Sequence, residues 1–75
     1  MKTLAEAQQR FPVGSVWQLW RPLRGVLQTV RVYGHAPHPQ REGEWVVRWE
    51  AISSRGGFGW SRSHHFREIE ETKHA

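Results

Sequence analysis

The chain contains no cysteine and no aspartate, and lysine supplies only two of its eleven basic residues. Without cysteine it forms no disulfide bonds, which fits a reducing compartment. Its apolar runs are only a few residues long, which excludes a membrane-spanning helix and argues against a membrane partner. The first residues, 1–7, include an acidic side chain and no apolar core, unlike a secretory leader. We therefore expect a soluble, cytoplasmic protein.

Tryptophan and arginine are abundant in this chain of 75 residues, which holds five tryptophans and nine arginines. A domain of this size lies near the lower limit for folding on a single core, and it cannot bury five indoles completely. Tryptophan and arginine are also over-represented at binding hot spots. The net charge of +4 favours polyanions and acidic protein surfaces. The composition therefore predicts a binding module.

The N-terminal segment carries the signature of a short helix. Thr3 and Glu6 have capping-box spacing, which predicts a helix over 4–10. The helix should end at Phe11 because the residue before a proline avoids the α region. Seven helical residues are marginal alone, so residues 1–12 form either a helix docked on the core or an arm that a partner orders. Docking would use the apolar side chains of Leu4, Ala7 and Phe11.

Beyond residue 13 the hydrophobic period changes from helical to two, which predicts strands. We expect four strands and a short closing one, at 15–20, 26–33, 44–52, 58–62 and 67–71. A long exposed loop should cover 34–43, a glycine-containing turn 53–57, and a tight turn 63–66. A short helix over 63–71 is the alternative for the last part of the chain.

The alternation also predicts which side chains face inward. Residues 26, 28, 30 and 32, which include Val30 and Val32, should share one face of the second strand. On the third strand, Trp45, Val47 and Trp49 are expected to face the core. Val46, Arg48 and Glu50 then face outward, where Arg48 and Glu50 can pair across strands. Trp17 and Trp20 are three residues apart in the first strand, so one should face the core and the other the outside or the adjoining loop.

This order of strands, with one short turn before the last, is typical of a small SH3-like barrel. We predict a mostly β fold of four to five antiparallel strands over 13–71, with the N-terminal helix or arm, a one-turn helix near the C-terminus and a flexible tail at 72–75. Closure or near-closure would protect the strand edges, which a chain this short otherwise exposes.

Two short segments carry a resemblance to a known group of proteins. Val13-Gly14-Ser15-Val16-Trp17 opens the predicted barrel, and Gly57-Phe58-Gly59-Trp60 precedes its last turn. With these segments, residues 12–70 resemble small SH3-like proteins of bacteria and their phages. Some phage proteins of this kind bind host RNA polymerase and redirect initiation or termination. The resemblance implies a transcription regulator in a bacterial or phage-infected cell, and it transfers no individual binding residue.

Candidate partner-binding residues come from exposed aromatic and arginine side chains and from the N-terminal segment. Loop arginines beside an indole can anchor a protein contact or pair with phosphates while the ring stacks on a base. If the loop 21–25 and the turn 53–57 flank one face, Arg24 and Arg55 form a basic patch. The predicted set is Leu4, Arg10, Phe11, Trp20, Arg21, Arg24, Tyr33, Arg48 and Arg55.

Catalytic, metal and cofactor sites have little support in the sequence. The pairs His35/His38 and His64/His65 suggest a metal, but cysteine and aspartate are absent and neighbouring side chains of a strand point apart. No serine lies in a nucleophile elbow, and no glycine-rich stretch joins a strand to a helix. We expect no enzyme, no cofactor and no small-molecule ligand.

Three functions remain open on the sequence alone. The first is a protein-binding regulator that docks on a partner such as an RNA polymerase subunit. The second is a direct DNA- or RNA-binding module, in which arginines pair with phosphates and Tyr33 or an exposed tryptophan stacks on bases. The third is a homodimer that buries the surplus tryptophans.

Overall fold

Five antiparallel strands form one sheet in this protein. The computed structural model describes residues 1–52 and 56–69. Within them the sheet runs in the hydrogen-bonded order β4-β3-β2-β1-β5. In chain order the elements are α1 (Leu4–Arg10), β1 (Val16–Arg21), β2 (Val26–Pro37), β3 (Trp45–Ala51), β4 (Phe58–Ser61), a one-turn 3-10 helix (Ser63–His65) and β5 (Phe66–Arg67).

The predicted fold class is confirmed. The protein is mostly β, with a short helix before the sheet and a single helical turn before the last strand. The hydrogen-bonded pairings of the described residues leave the sheet open between β4 and β5. The tail predicted at 72–75 lies outside the described residues.

The helix α1 has the predicted bounds and docks on the core. Thr3 Oγ1 accepts a hydrogen bond from the Glu6 amide at 3.0 Å, and the Phe11 amide closes the helix on the Ala7 carbonyl at 2.9 Å. Glu6 Oε1 accepts from the Lys2 amide at 3.0 Å. Ala7 and Phe11 are buried, whereas Leu4 is exposed. Two of the three side chains predicted to dock therefore do so.

The core lies on the inner face of the sheet, where the alternation placed it. Val47 and Trp49 are buried, as the alternation predicted, whereas Trp45 is only partly buried. Val30 and Val32 of β2 are buried with them. Leu19 of β1 and two aromatic residues from outside the main strands, Phe11 and Phe66, complete this cluster. Phe11 packs on Phe66 with ring centroids 5.1 Å apart, so the residue that ends α1 and the first residue of β5 close the core together.

Strand β2 is longer than predicted. It continues to Pro37, so the expected loop over 34–43 is wrong in its first part. A register irregularity between Val32 and Gly34 inserts one residue, after which His35 lies opposite Val47. Such a bulge reverses the inward and outward alternation, which is why the period-two pattern stopped near Tyr33 although the strand did not.

The end of the described chain is shorter in strand than predicted. The closing strand covers Phe66–Arg67, residues 68 and 69 are not part of it, and the rest of the predicted strand 67–71 lies outside the described residues. Of the alternative helix over 63–71, the described residues form only the single turn Ser63–His65. The turn is stabilised by the His65 amide, which donates to the Arg62 carbonyl at 3.1 Å.

Candidate protein-interaction surface around strand β4

Strand β4 is an edge of the sheet and has β3 as its neighbour on one side only. The Ala51 amide donates to the Gly57 carbonyl at 2.7 Å, which sets the phase of the ladder. In an antiparallel pair, residues alternate between hydrogen-bonded and non-hydrogen-bonded positions. Phe58, opposite Glu50, and Trp60, opposite Arg48, occupy the non-hydrogen-bonded positions. Their backbone N–H and C=O groups therefore point away from β3.

The side chains of β4 divide between the core and the outside. Ser61 faces inward, because its Oγ accepts a hydrogen bond from Trp49 Nε1 at 3.2 Å. Gly59 lies directly on the same indole, where an added Cβ would stand 3.1 Å from Trp49 Cζ2. Phe58 and Trp60 face the other way and are 77% and 47% exposed. Gly59 and Ser61 therefore pack β4 against the core, whereas Phe58 and Trp60 face solvent.

An arginine stacked on an aromatic ring adjoins these two residues on the outer face. The Arg48 guanidinium lies 5.1 Å from the centroid of the Tyr33 ring, a cation–π contact. Arg48 is the cross-strand partner of Trp60. Glu50 approaches Arg31 at 4.0 Å, so the pairing of Arg48 with Glu50 considered from the sequence is replaced by these two contacts. We call Tyr33, Arg48, Phe58 and Trp60 the aromatic face.

One end of the aromatic face adjoins the His38 ring and the ion pair between Arg62 and Glu44. The His38 ring meets Trp60 edge-on, with centroids 5.1 Å apart. Arg62 Nε donates to Glu44 Oε2 at 2.8 Å, and this hydrogen bond lowers the pKa of the Glu44 carboxyl. Val46 was expected to face outward, yet it is only 1% exposed. Its position in β3 is on the same side as Arg48, so the outer side of the strand includes one buried residue.

A cavity of about 380 Å³ lies beside β4 at the opening of the sheet. Trp20 and Arg21 at the end of β1 line it together with Arg24 of the β1–β2 connection. Ser61 and His65 also line it. We call this cavity the seam. Burial is the main cause that lowers the pKa of His65, and neighbouring positive charges add to it. The seam is therefore a basic depression in which protonation of the imidazole is disfavoured.

Arg21 is partly committed to the fold. It was predicted to lie in the loop, but it is the last residue of β1. Its Nη1 donates to Gln28 Oε1 at 2.8 Å, and its guanidinium lies 5.1 Å from the Trp49 ring centroid. Arg24 lies in the connection itself and is exposed. Of the two arginines at the seam, Arg24 is therefore the one better placed to meet a partner.

The structure divides the predicted partner-binding residues into three groups. Tyr33 and Arg48 belong to the aromatic face, and Trp20, Arg21 and Arg24 to the seam. On α1, Arg10 lies 5.4 Å from the Phe11 ring centroid, and Phe11 itself belongs to the core. Leu4 is exposed on the helix. Arg55 lies outside the described residues, so the basic patch predicted with Arg24 stays a prediction.

Sequence reasoning missed Phe58 and Trp60 as members of the predicted site. The alternation showed that they share a side of their strand, with Gly59 and Ser61 on the other. Aromatic residues are usually assigned to the core, and small ones to the side where another group approaches. That approaching group is the Trp49 ring, so the small residues mark the inner face. The small residues Gly59 and Ser61 were therefore the feature of the sequence from which the outward orientation of Phe58 and Trp60 could have been predicted.

The histidine pairs considered as metal ligands have other contacts. His35 Nε2 donates to the Phe11 carbonyl at 2.7 Å. His38 Nδ1 accepts from the Gln40 and Arg41 amides at 3.0 and 3.2 Å. Across residues 1–52 and 56–69, no three histidine, aspartate or glutamate side chains come together in a way that could hold a metal ion.

No protein-family model, curated protein or solved structure matches this chain. A function for it therefore has to come from the placement of its own side chains. Of the helices in the described part of the chain, none has the length and apolar character needed to cross a membrane.

Proposed function

We propose that this protein is a non-enzymatic binding module that docks on another protein through the aromatic face. The observation that supports the proposal is the exposure of Phe58 and Trp60 side by side with Arg48, on the side of β4 opposite the core. Aromatic and arginine side chains are enriched in the buried centres of protein interfaces and dominate their binding energy. A contiguous exposed patch of this kind marks an interaction site more strongly than scattered apolar residues do.

Three of the four side chains of the aromatic face have contacts in the unbound protein. The Arg48 guanidinium lies over the Tyr33 ring, and the His38 ring contacts Trp60 edge-on. Immobilising a flexible side chain at an interface costs about 0.5–1.5 kcal/mol. Side chains that are already positioned avoid much of that cost, which favours their use as anchors.

The candidate partner is the transcription machinery of a bacterial host, RNA polymerase in particular. This choice rests on the resemblance of residues 12–70 to small SH3-like phage proteins, some of which bind that enzyme. The net charge of +4 suits an acidic surface on the partner. Docking would alter initiation or termination by covering a surface of the polymerase or by redirecting it.

Capture of bacterial RNA polymerase on the immobilised protein tests this proposal. The lysate is treated with nuclease, and the wild type is compared with a variant carrying Phe58→Ser and Trp60→Ser. We expect the double variant to bind at least about thirtyfold more weakly, the effect of losing a hot spot. Val13→Ser is the matched control, because Val13 is apolar, 65% exposed and outside the aromatic face. If the wild type captures no polymerase, or if both variants bind as the wild type does, the proposal is wrong.

Direct nucleic-acid binding is the second candidate, and the stacking of Arg48 on Tyr33 beside exposed Trp60 favours it. Such a surface could stack on bases while arginines neutralise phosphates. Glu50 on the same face opposes phosphate, so we rank this function lower. Nuclease treatment that abolishes all capture, together with affinity that falls steeply with salt, would support it over protein binding.

A further inference from the structure

The open edge of β4 leads to an inference about how a partner is held, and it rests on the proposed function. We propose that β4 accepts an extended segment of the partner protein as an additional strand, and that this segment alternates apolar and acidic residues. Strand addition at an exposed sheet edge is a recurrent mode of peptide recognition, in which main-chain hydrogen bonds give affinity and alternate side chains give specificity.

The backbone of β4 is available for this pairing. The N–H and C=O groups of Phe58 and Trp60 point away from β3, and no described strand lies on that side. Protective devices at strand edges include lysine, proline and bulges. The residues Phe58–Ser61 contain no lysine or proline, and their register with β3 is regular. The edge is therefore suited to accept another strand.

The two faces of β4 set the side-chain pattern of the added strand. On the outer face, every second residue would lie beside Phe58 and Trp60, where an apolar side chain buries aromatic surface. The intervening residues would point to the side of Gly59 and Ser61, toward the seam. Arg24 lines the seam together with Ser61, and an acidic side chain there gains a favourable charge interaction.

A second copy of the chain is a poorer occupant than a partner protein. Pairing two β4 edges would bring together two seams that each carry Arg21 and Arg24, and like charges across an interface are costly. Among the described strands, Glu50 of β3 is the only acidic residue. The chain thus offers no alternating acidic strand of its own within the described ranges.

The test uses the whole protein and a short amidated peptide of alternating valine and glutamate as the probe. Its lysine counterpart tests the charge, and a copy with alternate amides N-methylated tests the backbone pairing. We expect the glutamate peptide to bind, to shift the amide resonances of Phe58 and Trp60 most, and to protect them from hydrogen exchange. The other two peptides should bind at least about fivefold more weakly, the effect of one lost hydrogen bond or more.

Two substitutions separate the backbone contribution from the side chain. Because the Trp60 amide points away from β3, Trp60→Pro removes the donor for a partner without removing a hydrogen bond to β3. Trp60→Ala removes the indole and keeps the donor, so it is the matched control. We expect Trp60→Pro to bind the glutamate peptide at least about fivefold more weakly than Trp60→Ala does. Arg24→Glu should reverse the preference in favour of the lysine peptide.

Several outcomes overturn strand addition. If the wild-type protein binds the normal and the N-methylated peptides equally well, strand addition is wrong. This result does not depend on whether Trp60→Pro folds. A preference for the glutamate peptide that survives Arg24→Glu refutes the role of the seam, and concentration-dependent dimers in sedimentation point to a second copy instead. If Trp60→Pro captures RNA polymerase as well as Trp60→Ala does, strand addition is wrong while the proposed function stands. If the peptide binds as expected but the wild type captures no polymerase, strand addition stands and the proposed partner is wrong.

Discussion

Gly59 is the point at which β4 lies closest to the core, so adding a single methyl group there tests the packing directly. A Cβ at this position would lie 3.1 Å from Trp49 Cζ2 and 3.5 Å from Cε2. The indole has little room to retreat, because Trp49 is buried and its Nε1 is hydrogen-bonded to Ser61. On the ring, Arg21 adds a cation–π contact. Gly59→Ala must therefore displace β4 or the ring.

The magnitude follows from two opposing effects. Overpacking of a filled core costs about 1–3 kcal/mol. Replacing glycine by alanine stabilises by about 0.4–1 kcal/mol, because the unfolded chain loses conformational freedom. We expect a net loss of about 1–2 kcal/mol in the free energy of unfolding, and a domain of this size has a core contribution of only about 3–5 kcal/mol. The melting temperature should fall by roughly 5–15 °C.

Urea denaturation followed by tryptophan fluorescence measures this loss, with Gly34→Ala as the matched control. An added Cβ at Gly34 meets no atom within 4 Å, so the same substitution there should stabilise by about 0.4–1 kcal/mol. Opposite signs of the stability change at Gly59 and Gly34 are the expected result. If Gly59→Ala is as stable as the wild type or more stable, the close packing of β4 on Trp49 is wrong.

Three further predictions concern pH and capping. The hydrogen bond from Arg62 lowers the pKa of Glu44 from its ordinary 4.5, so the stability that this carboxylate contributes is complete above pH 4.5 and is lost as pH falls through its pKa in the folded protein. Glu44→Gln should flatten the plot of urea-derived stability against pH in that acidic range, and an unchanged plot would contradict the ion pair. Burial is the main cause that lowers the pKa of His65 from 6.5, so the free energy of unfolding should also fall as pH drops below that value. His65→Gln should remove this dependence on pH, and a dependence that persists in the variant would belong to another group. Thr3→Ala removes the acceptor for the Glu6 amide and should lower the free energy of unfolding in urea by about 0.5–2 kcal/mol. Thr3→Ser should keep most of that stability, and equal losses in the two variants would argue against the cap.

Local patterns in the sequence predicted much of the fold. The capping box and the Phe11-Pro12 stop gave the bounds of α1, because caps depend on neighbouring residues only. Alternation placed Val47 and Trp49 together in the core and Val30 and Val32 on one face of β2, because residues two apart in a strand face the same side. The mostly β class follows from these strands and their order.

What the sequence left open depends on contacts between distant segments. The continuation of β2 to Pro37 requires β3 as its partner, and the bulge before Gly34 hides it from a period-two search. The orientation of β4 is decided by Trp49 of β3, which occupies the side of Gly59 and Ser61. The aromatic face and the seam therefore emerge only when the strands are paired.

The different positions of alternate residues in β4 also affect how the sequence of this protein can change in evolution. Gly59 and Ser61 contact the indole of Trp49, whereas Phe58 and Trp60 face solvent. If the aromatic face binds a partner as proposed, variation at Phe58 and Trp60 would change what the domain recognises and leave the contacts of Gly59 and Ser61 with Trp49 in place. A lineage carrying this scaffold would be free to track a changing target by altering alternate residues of one short strand.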